Sequence, residues 1–216
     1  MRLKDKAIIV TGGTSGIGAA IAAAAIREGA KVLVHGINEE EGRATVEKLG
    51  ANAVLCIADL AEDSAPKEIV SAALKAFGKI DGVVNNAAIF GGSNISDQEI
   101  EHFRRMMQIN LTAPLFLIKA AFEELKKTGG CVLNIGSINA HTGESKLLAY
   151  SISKGGMQTM TRNLANANGV HGIRVNQINP GWVLTDREYR DKMAVGMKST
   201  WPEDLSRVEI PSGKMT

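Results

Sequence analysis

Tyr150 and Lys154 stand four residues apart, and Ser137 precedes the tyrosine by thirteen. Four residues is just over one helical turn, so the phenol and the ammonium share one helix face. A free phenol, with a pKa of about 10, is a poor base at neutral pH. Lowering it by two to three units takes roughly 3–4 kcal/mol of preferential stabilisation of the phenolate. An ammonium about 4 Å away supplies on the order of 4 kcal/mol at an effective dielectric of 20. The spacing suits a tyrosine that takes or gives a proton. A surface Tyr/Lys pair on any helix has the same spacing, so the surrounding elements decide.

Those elements alternate. β-Branched runs at 7–11, 32–35, 53–58, 82–85, 131–135 and 174–178 read as strands, and a helix-compatible segment follows each of the first five. That order predicts an α/β fold with a parallel sheet and crossover helices. Apolar runs such as Ile8-Ile9-Val10 predict strands buried on both faces. Ser64 before Pro66 predicts one helix start, and Ser96-x-x-Glu99 reads as a capping box opening a long helix from about Asp97. The charged stretch 186–211 is weakly periodic and reads as a lid over a site.

Composition excludes other classes. With 216 residues, 44% hydrophobic, the chain suits a single domain with a large core. A net charge of +2 and 4% aromatics provide no basic-aromatic platform for nucleic acid. No apolar run approaches the roughly 20 residues of a membrane span, so no membrane partner is expected. Cys56 and Cys131 lie in apolar runs without C-x-x-C spacing and read as buried free thiols, which fits a cytoplasmic protein. His35, His102, His141 and His171 lack metal-ligand spacing, so no metal is expected. A serine hydrolase is disfavoured because no G-x-S-x-G surrounds Ser137.

Gly12-Gly13-Thr14-Ser15-Gly16-Ile17-Gly18 follows the first strand and opens an alanine-rich helix. Such a loop lets backbone approach a pyrophosphate, and the helix N-terminus offers it free N–H groups. The spacing G-x-x-x-G-x-G differs from the common G-x-G-x-x-G.

With this loop, the chain resembles the short-chain dehydrogenase/reductase family over nearly its whole length. Thr11-Gly12-x-x-x-Gly16-x-Gly18 is similar to that family's cofactor loop. Asp59-Leu60 is similar to its adenine-contacting pair, and Asn85-Asn86-Ala87-Ala88 resembles its N-N-A-G segment with Ala88 for the usual glycine. Asn110, Ser137, Tyr150 and Lys154 match the catalytic tetrad, and Pro180-Gly181-x-Val183-x-Thr185 the segment that contacts the nicotinamide carboxamide. The resemblance implies a Rossmann-type doubly wound parallel sheet and NAD or NADP as cofactor. It also implies a small-molecule alcohol or carbonyl substrate and a homodimer or homotetramer, the dimer formed through the long helix and the Tyr150 helix. Tyr150 would be the general acid/base, Ser137 would hold the substrate oxygen, and Lys154 would bind the nicotinamide ribose and lower the Tyr150 pKa. Pro114, four residues after Asn110, cannot donate to the Asn110 carbonyl, which could then accept a proton-relaying water.

Cofactor and substrate signals are weaker. His35-Gly36-Ile37-Asn38 ends the second strand without an acid or the arginine of NADP-preferring relatives. Ser15, His35, Asn38 and Arg43 could contact a 2′-phosphate, which tips the balance to NADP. Asn139, His141 and Trp182 are the substrate-contact candidates. The polar loop from Ser137 to Tyr150 favours a sugar, polyol or hydroxy acid over a steroid. The family's last helix and strand lack counterparts before Thr216, which motivates an alternative: a non-catalytic nucleotide-binding protein or an impaired dehydrogenase.

Overall fold

In the computed structural model, residues 1–209 are described, excluding the side chains of residues 187 and 206–209. The described residues form two compact units, Met1–Asn179 and a second that begins at Pro180.

The first unit holds six parallel strands: β1 (Ala7–Val10), β2 (Lys31–Gly36), β3 (Ala53–Ile57), β4 (Gly82–Asn85), β5 (Cys131–Ile135) and β6 (Arg174–Ile178). They pair in the order β3-β2-β1-β4-β5-β6. The chain works outward from β1 to β3 through α1 (Gly16–Arg27) and α2 (Glu39–Leu49). It then returns through α3 (Ala65–Phe77) to lay β4 on the other side of β1. Right-handed crossovers in these opposite directions put helices on opposite faces of the sheet.

The side-chain period of a strand sorts the core accordingly. Ile9, Leu33, Val83, Val132 and Val175 pack with Ile69 and Ala73 of α3 and with Leu117 and Ala121 of α5 (Ala113–Thr128). Val10, Val32, Val34, Val84 and Ile135 pack with Ala22 and Ala25 of α1 on the other face. Ile9, Val10 and the run Val32-Leu33-Val34 are fully buried, as strands covered on both sides should be. Strand order reverses between β1 and β4, and in such sheets ligands bind at the carboxyl ends of the strands flanking that reversal.

Two helix readings are corrected. Ser96 forms no capping box, because its N–H and hydroxyl both bond Asn94 Oδ1 in a turn. The helix α4 (Ile100–Met107) starts later, with Glu99 as N-cap. The helix predicted to run on from there is interrupted by a π-helical turn, Gln108–Thr112, in which Ala113 N–H reaches back to Gln108. Pro114 sits in the first turn of α5, and the extra residue of the π turn lies just before it. α3 starts where Ser64-x-Pro66 predicts, with Ser64 as its N-cap, although that side chain makes no cap bond. After β5 come the single turn α6 (Asn139–Thr142) and α7 (Leu148–Asn168).

The second unit contains α8 (Asp186–Ala194) and α9 (Trp201–Glu209). The Trp182 and Tyr189 rings lie 6.0 and 6.3 Å from that of Trp201. The predicted lid thus divides into two helices, and its residues 210–211 lie outside the described residues.

Candidate active site

Backbone spent on hydrogen bonding builds the first wall. Thr11, just past β1, uses its hydroxyl as a hub: it donates to Val84 O and accepts from the N–H groups of Asn86 and Ala87. Asn86 returns the contact through Nδ2 to the carbonyls of Thr11 and Gly12, at 2.9 and 3.0 Å. The ends of β1 and β4 are thereby pinned together at the reversal. Gly12 has φ of 59°, and a Cβ there would meet Ala87 Cα at 2.9 Å. A Cβ on Gly18 would come within 2.0 Å of Gly12 O, so this close loop-to-helix approach requires glycine. Ser15 is the N-cap of α1 but makes no side-chain cap bond. The helix start therefore keeps N–H groups for an anion, with Gly16 and Ile17 in its first turn. This cradle fits the pyrophosphate of a dinucleotide.

Three of the four residues expected at a 2′-phosphate are engaged elsewhere. His35 is a correction: it is 1% exposed, beneath the loop. Its Nδ1 accepts from Gly12 N–H at 3.3 Å and its Nε2 lies 2.9 Å from Ala58 O, a pairing that the neutral Nε2–H tautomer satisfies. Burial pushes its pKa below the usual value. Asn38 caps α2 by accepting from Glu41 N–H. Arg43 pairs with Glu39 one turn away. Thr14 is gripped by α2, its hydroxyl bonding Glu41 and its carbonyl accepting from Thr45 Oγ1. At the end of β3, Asp59 turns the chain by accepting from Ala61 N–H, while Leu60 is buried.

The catalytic candidates meet where β5 ends. Lys154 is 2% exposed, and its Nζ donates to Ile135 O, the last residue of β5, at 2.8 Å. This tethers α7 to the strand two residues before Ser137, and the same helix face carries Tyr150 one turn back. The Lys154 Nζ lies 5.7 Å from the centre of the Tyr150 ring, whose other neighbour is Phe90, edge-on at 5.2 Å. Burial lowers the Lys154 pKa to about 8. Burial also raises the Tyr150 pKa, and a hydrogen bond with Ser137 pulls it partly back. The expectation that Lys154 lowers the Tyr150 pKa is not met in the protein alone, since desolvation dominates and holds the phenol neutral.

Asn110 is fully buried in the π turn and its side chain is wholly committed. Its Oδ1 accepts from Ile89 N–H at 2.8 Å, and its Nδ2 serves Ile89 O, Met106 Sδ and Ser153 Oγ. Asn110 thus clamps the loop after β4. Ser153, unmarked in the sequence reading, carries that clamp to the helix by donating to Tyr150 O at 2.7 Å. A second unmarked contact joins β4 to β5 through Asn85 Nδ2 and Asn134 Oδ1, at 2.8 Å.

The loop between Ser137 and Tyr150 holds two substrate candidates. Asn139 opens α6 and donates its N–H to Ser137 Oγ at 3.2 Å. The amides of Gln158 and Asn179 both reach Nε2 of the exposed His141 at 3.2 Å, which makes that nitrogen an acceptor. Neither amide was picked out in the sequence. The other candidates belong to the second unit. Trp182 Nε1 donates to Glu188, Thr185 caps α8 at Glu188 N–H, and Pro180, Gly181 and Val183 lead into that helix. Among the described residues no helix could cross a membrane, and no cluster of three or more His, Cys, Asp or Glu could hold a metal.

Comparison with known proteins gives a consistent picture. The family model described as short chain dehydrogenase matches residues 6–193. An uncharacterized oxidoreductase of Thermotoga maritima is 37% identical over 209 residues, covering 95% of this chain and 81% of its own. L-fucose dehydrogenase of Mus musculus is 34% identical over 218 residues, 98% of this chain and 80% of its own. L-rhamnose 1-dehydrogenase (NAD(P)(+)) of Azotobacter vinelandii is 34% identical over 200 residues, 88% and 78%.

Proposed function

The chain belongs to the short-chain dehydrogenase family and is an oxidoreductase acting on CH–OH groups, and on that footing we propose that it interconverts a secondary alcohol and a carbonyl on a small polar molecule, a sugar before a polyol or hydroxy acid, with NAD or NADP. The observation that carries the mechanism is the buried Lys154 ammonium beneath a Tyr150 phenol that Ser137 also contacts.

In carbonyl reduction the neutral Tyr150 donates its proton to the substrate oxygen, and Ser137 holds that oxygen by a hydrogen bond. In alcohol oxidation the phenolate must form, and the Lys154 charge favours it across a poorly solvated gap. Bound nicotinamide would supply or accept the hydride and, when oxidised, add positive charge beside the phenol. The glycine loop (Gly12, Thr14, Ser15, Gly16, Ile17, Gly18) would hold the pyrophosphate, Asp59 and Leu60 the adenine, and Asn86 and Ala87 the adjoining ribose side. Lys154 would reach the nicotinamide ribose, and Pro180, Gly181, Val183 and Thr185 the carboxamide. Asn110 positions rather than reacts, through Ser153 and the Tyr150 backbone.

Two relatives named for fucose and rhamnose oxidation support a sugar-like substrate, as does the polar loop with Asn139 and His141. Exposed Leu115 and Phe116 on α5 and Ile152 on α7 support a homodimer through those helices. A panel of deoxyhexoses, polyols, hydroxy acids and steroid alcohols, followed by nicotinamide absorbance with each cofactor, tests the substrate class. Turnover confined to steroid alcohols would reject it.

A further inference from the structure

We infer that Glu41 selects the cofactor and favours NAD, by setting a carboxylate where the 2′-phosphate of NADP would lie. The inference rests on the dinucleotide reading above and deepens it. In dinucleotide-binding folds an acid near the end of the second strand bonds the adenosine ribose hydroxyls. The strand end here, His35-Gly36-Ile37-Asn38, carries none, but the fold brings one in from the next helix.

Thr14 marks the place. It belongs to the glycine loop yet leans on the end of β2, since a Cβ on Gly36 would meet Thr14 Cγ2 at 2.5 Å. The loop that cradles the pyrophosphate and the strand end that receives the ribose therefore meet at Thr14. Glu41 Oε2 accepts from Thr14 Oγ1 at 3.3 Å. Thr45, four residues on and on the same face of α2, donates to Thr14 O at 2.7 Å. Two contacts one turn apart fix this face of α2 against the loop, so the Glu41 carboxylate is held at the ribose end. No compensating charge comes from the expected residues: His35 is buried with both ring nitrogens engaged, Asn38 caps α2, and Arg43 is paired with Glu39.

A carboxylate beside a ribose accepts hydrogen bonds from its hydroxyls, whereas beside a phosphate it repels. At about 5 Å the repulsion of a dianion is worth on the order of tenfold in binding even at the dielectric constant of water. The competing role for Glu41 is a strut for Thr14, and Glu41→Gln separates the two because it keeps an acceptor and removes the charge.

The test is the dissociation constant of NADH and of NADPH for the wild type, Glu41→Gln and Glu41→Arg, measured by calorimetry without substrate. The expected result is tighter NADH binding by the wild type. In Glu41→Gln, NADPH should bind about tenfold more tightly while NADH changes by less than about threefold, and Glu41→Arg should reverse the preference. A wild type that prefers NADPH, or an NADPH/NADH ratio unmoved in both variants, overturns the inference while leaving dinucleotide binding intact. A wild type that binds neither overturns the dinucleotide reading as well.

Discussion

Replacing Lys154 by methionine should abolish turnover yet change stability in a pH-dependent way that reports the buried charge. Burial lowers the lysine pKa from 10.5 to about 8. At about 1.4 kcal/mol per unit, that shift amounts to a penalty of about 3 kcal/mol at neutral pH. The sign follows from proton counting. Below about pH 8 native and unfolded lysines are both charged and the penalty is full; between about 8 and 10.5 the native lysine sheds its proton first, so stability rises with pH. The methionine variant has no such group. It also leaves the Ile135 carbonyl without its Nζ donor, a loss of about 1–3 kcal/mol that does not titrate. The absolute difference at pH 7 is therefore a near-cancellation, and the change with pH is the clean quantity. Between about pH 7 and 9.5 the wild type should gain about 2 kcal/mol relative to the variant. Guanidinium unfolding of both proteins, free of cofactor, at the two pH values gives this number. Stabilities that run parallel from pH 7 to 9.5 would refute a lysine held charged out of water.

The remaining predictions concern the cradle. Gly18→Ala puts a methyl within 2.0 Å of Gly12 O and 2.5 Å of Asn86 Nδ2, so the loop must open. Calorimetric cofactor affinity should fall by on the order of a hundredfold or more, as expected when a close-approach site is misplaced, while far-UV circular dichroism is unchanged. His35→Phe strands Gly12 N–H and Ala58 C=O and should cost about 2–4 kcal/mol in unfolding measurements. Because burial lowers the His35 pKa, the wild type loses stability as pH falls below 6.5, and the variant should lose that part of its acid slope. Ser153→Ala cuts the link from Asn110 to the Tyr150 backbone. It should lower kcat several-fold with cofactor affinity unchanged, a split that a merely destabilising change would not produce.

What the sequence made legible was local. Ile8-Ile9-Val10 and Val32-Leu33-Val34 could be read as strands because burial on both faces demands unbroken apolar runs, and the three carboxyl-end strand bounds at Gly82–Asn85, Cys131–Ile135 and Arg174–Ile178 coincide with those observed. The Tyr150/Lys154 helix face follows from the helical repeat alone. What escaped depends on partners distant in sequence. His35 resembles a phosphate ligand by its position on β2, and only its two hydrogen bonds beneath the loop exclude that role. Glu41 carries no motif, and its tie to Thr14 exists only where α2 packs against the glycine loop. Pro114 announced a disturbed helix, but whether as a kink or a π turn depends on the packing around Asn110. A pairwise Coulomb argument counts only the pull of Lys154 on the Tyr150 phenol, whereas desolvation, the largest influence in the protein alone, raises its pKa.

The central claim is that Tyr150 moves the proton while a dinucleotide held by the glycine loop moves the hydride. Its most direct test compares wild type with Tyr150→Phe, measuring NADH and NADPH binding by calorimetry and the rate of sugar oxidation on the same preparations. The account predicts unchanged affinity for the dinucleotide and a rate lower by about two to four orders of magnitude, the usual contribution of a positioned acid/base. A phenylalanine variant that turns over at the wild-type rate would contradict it.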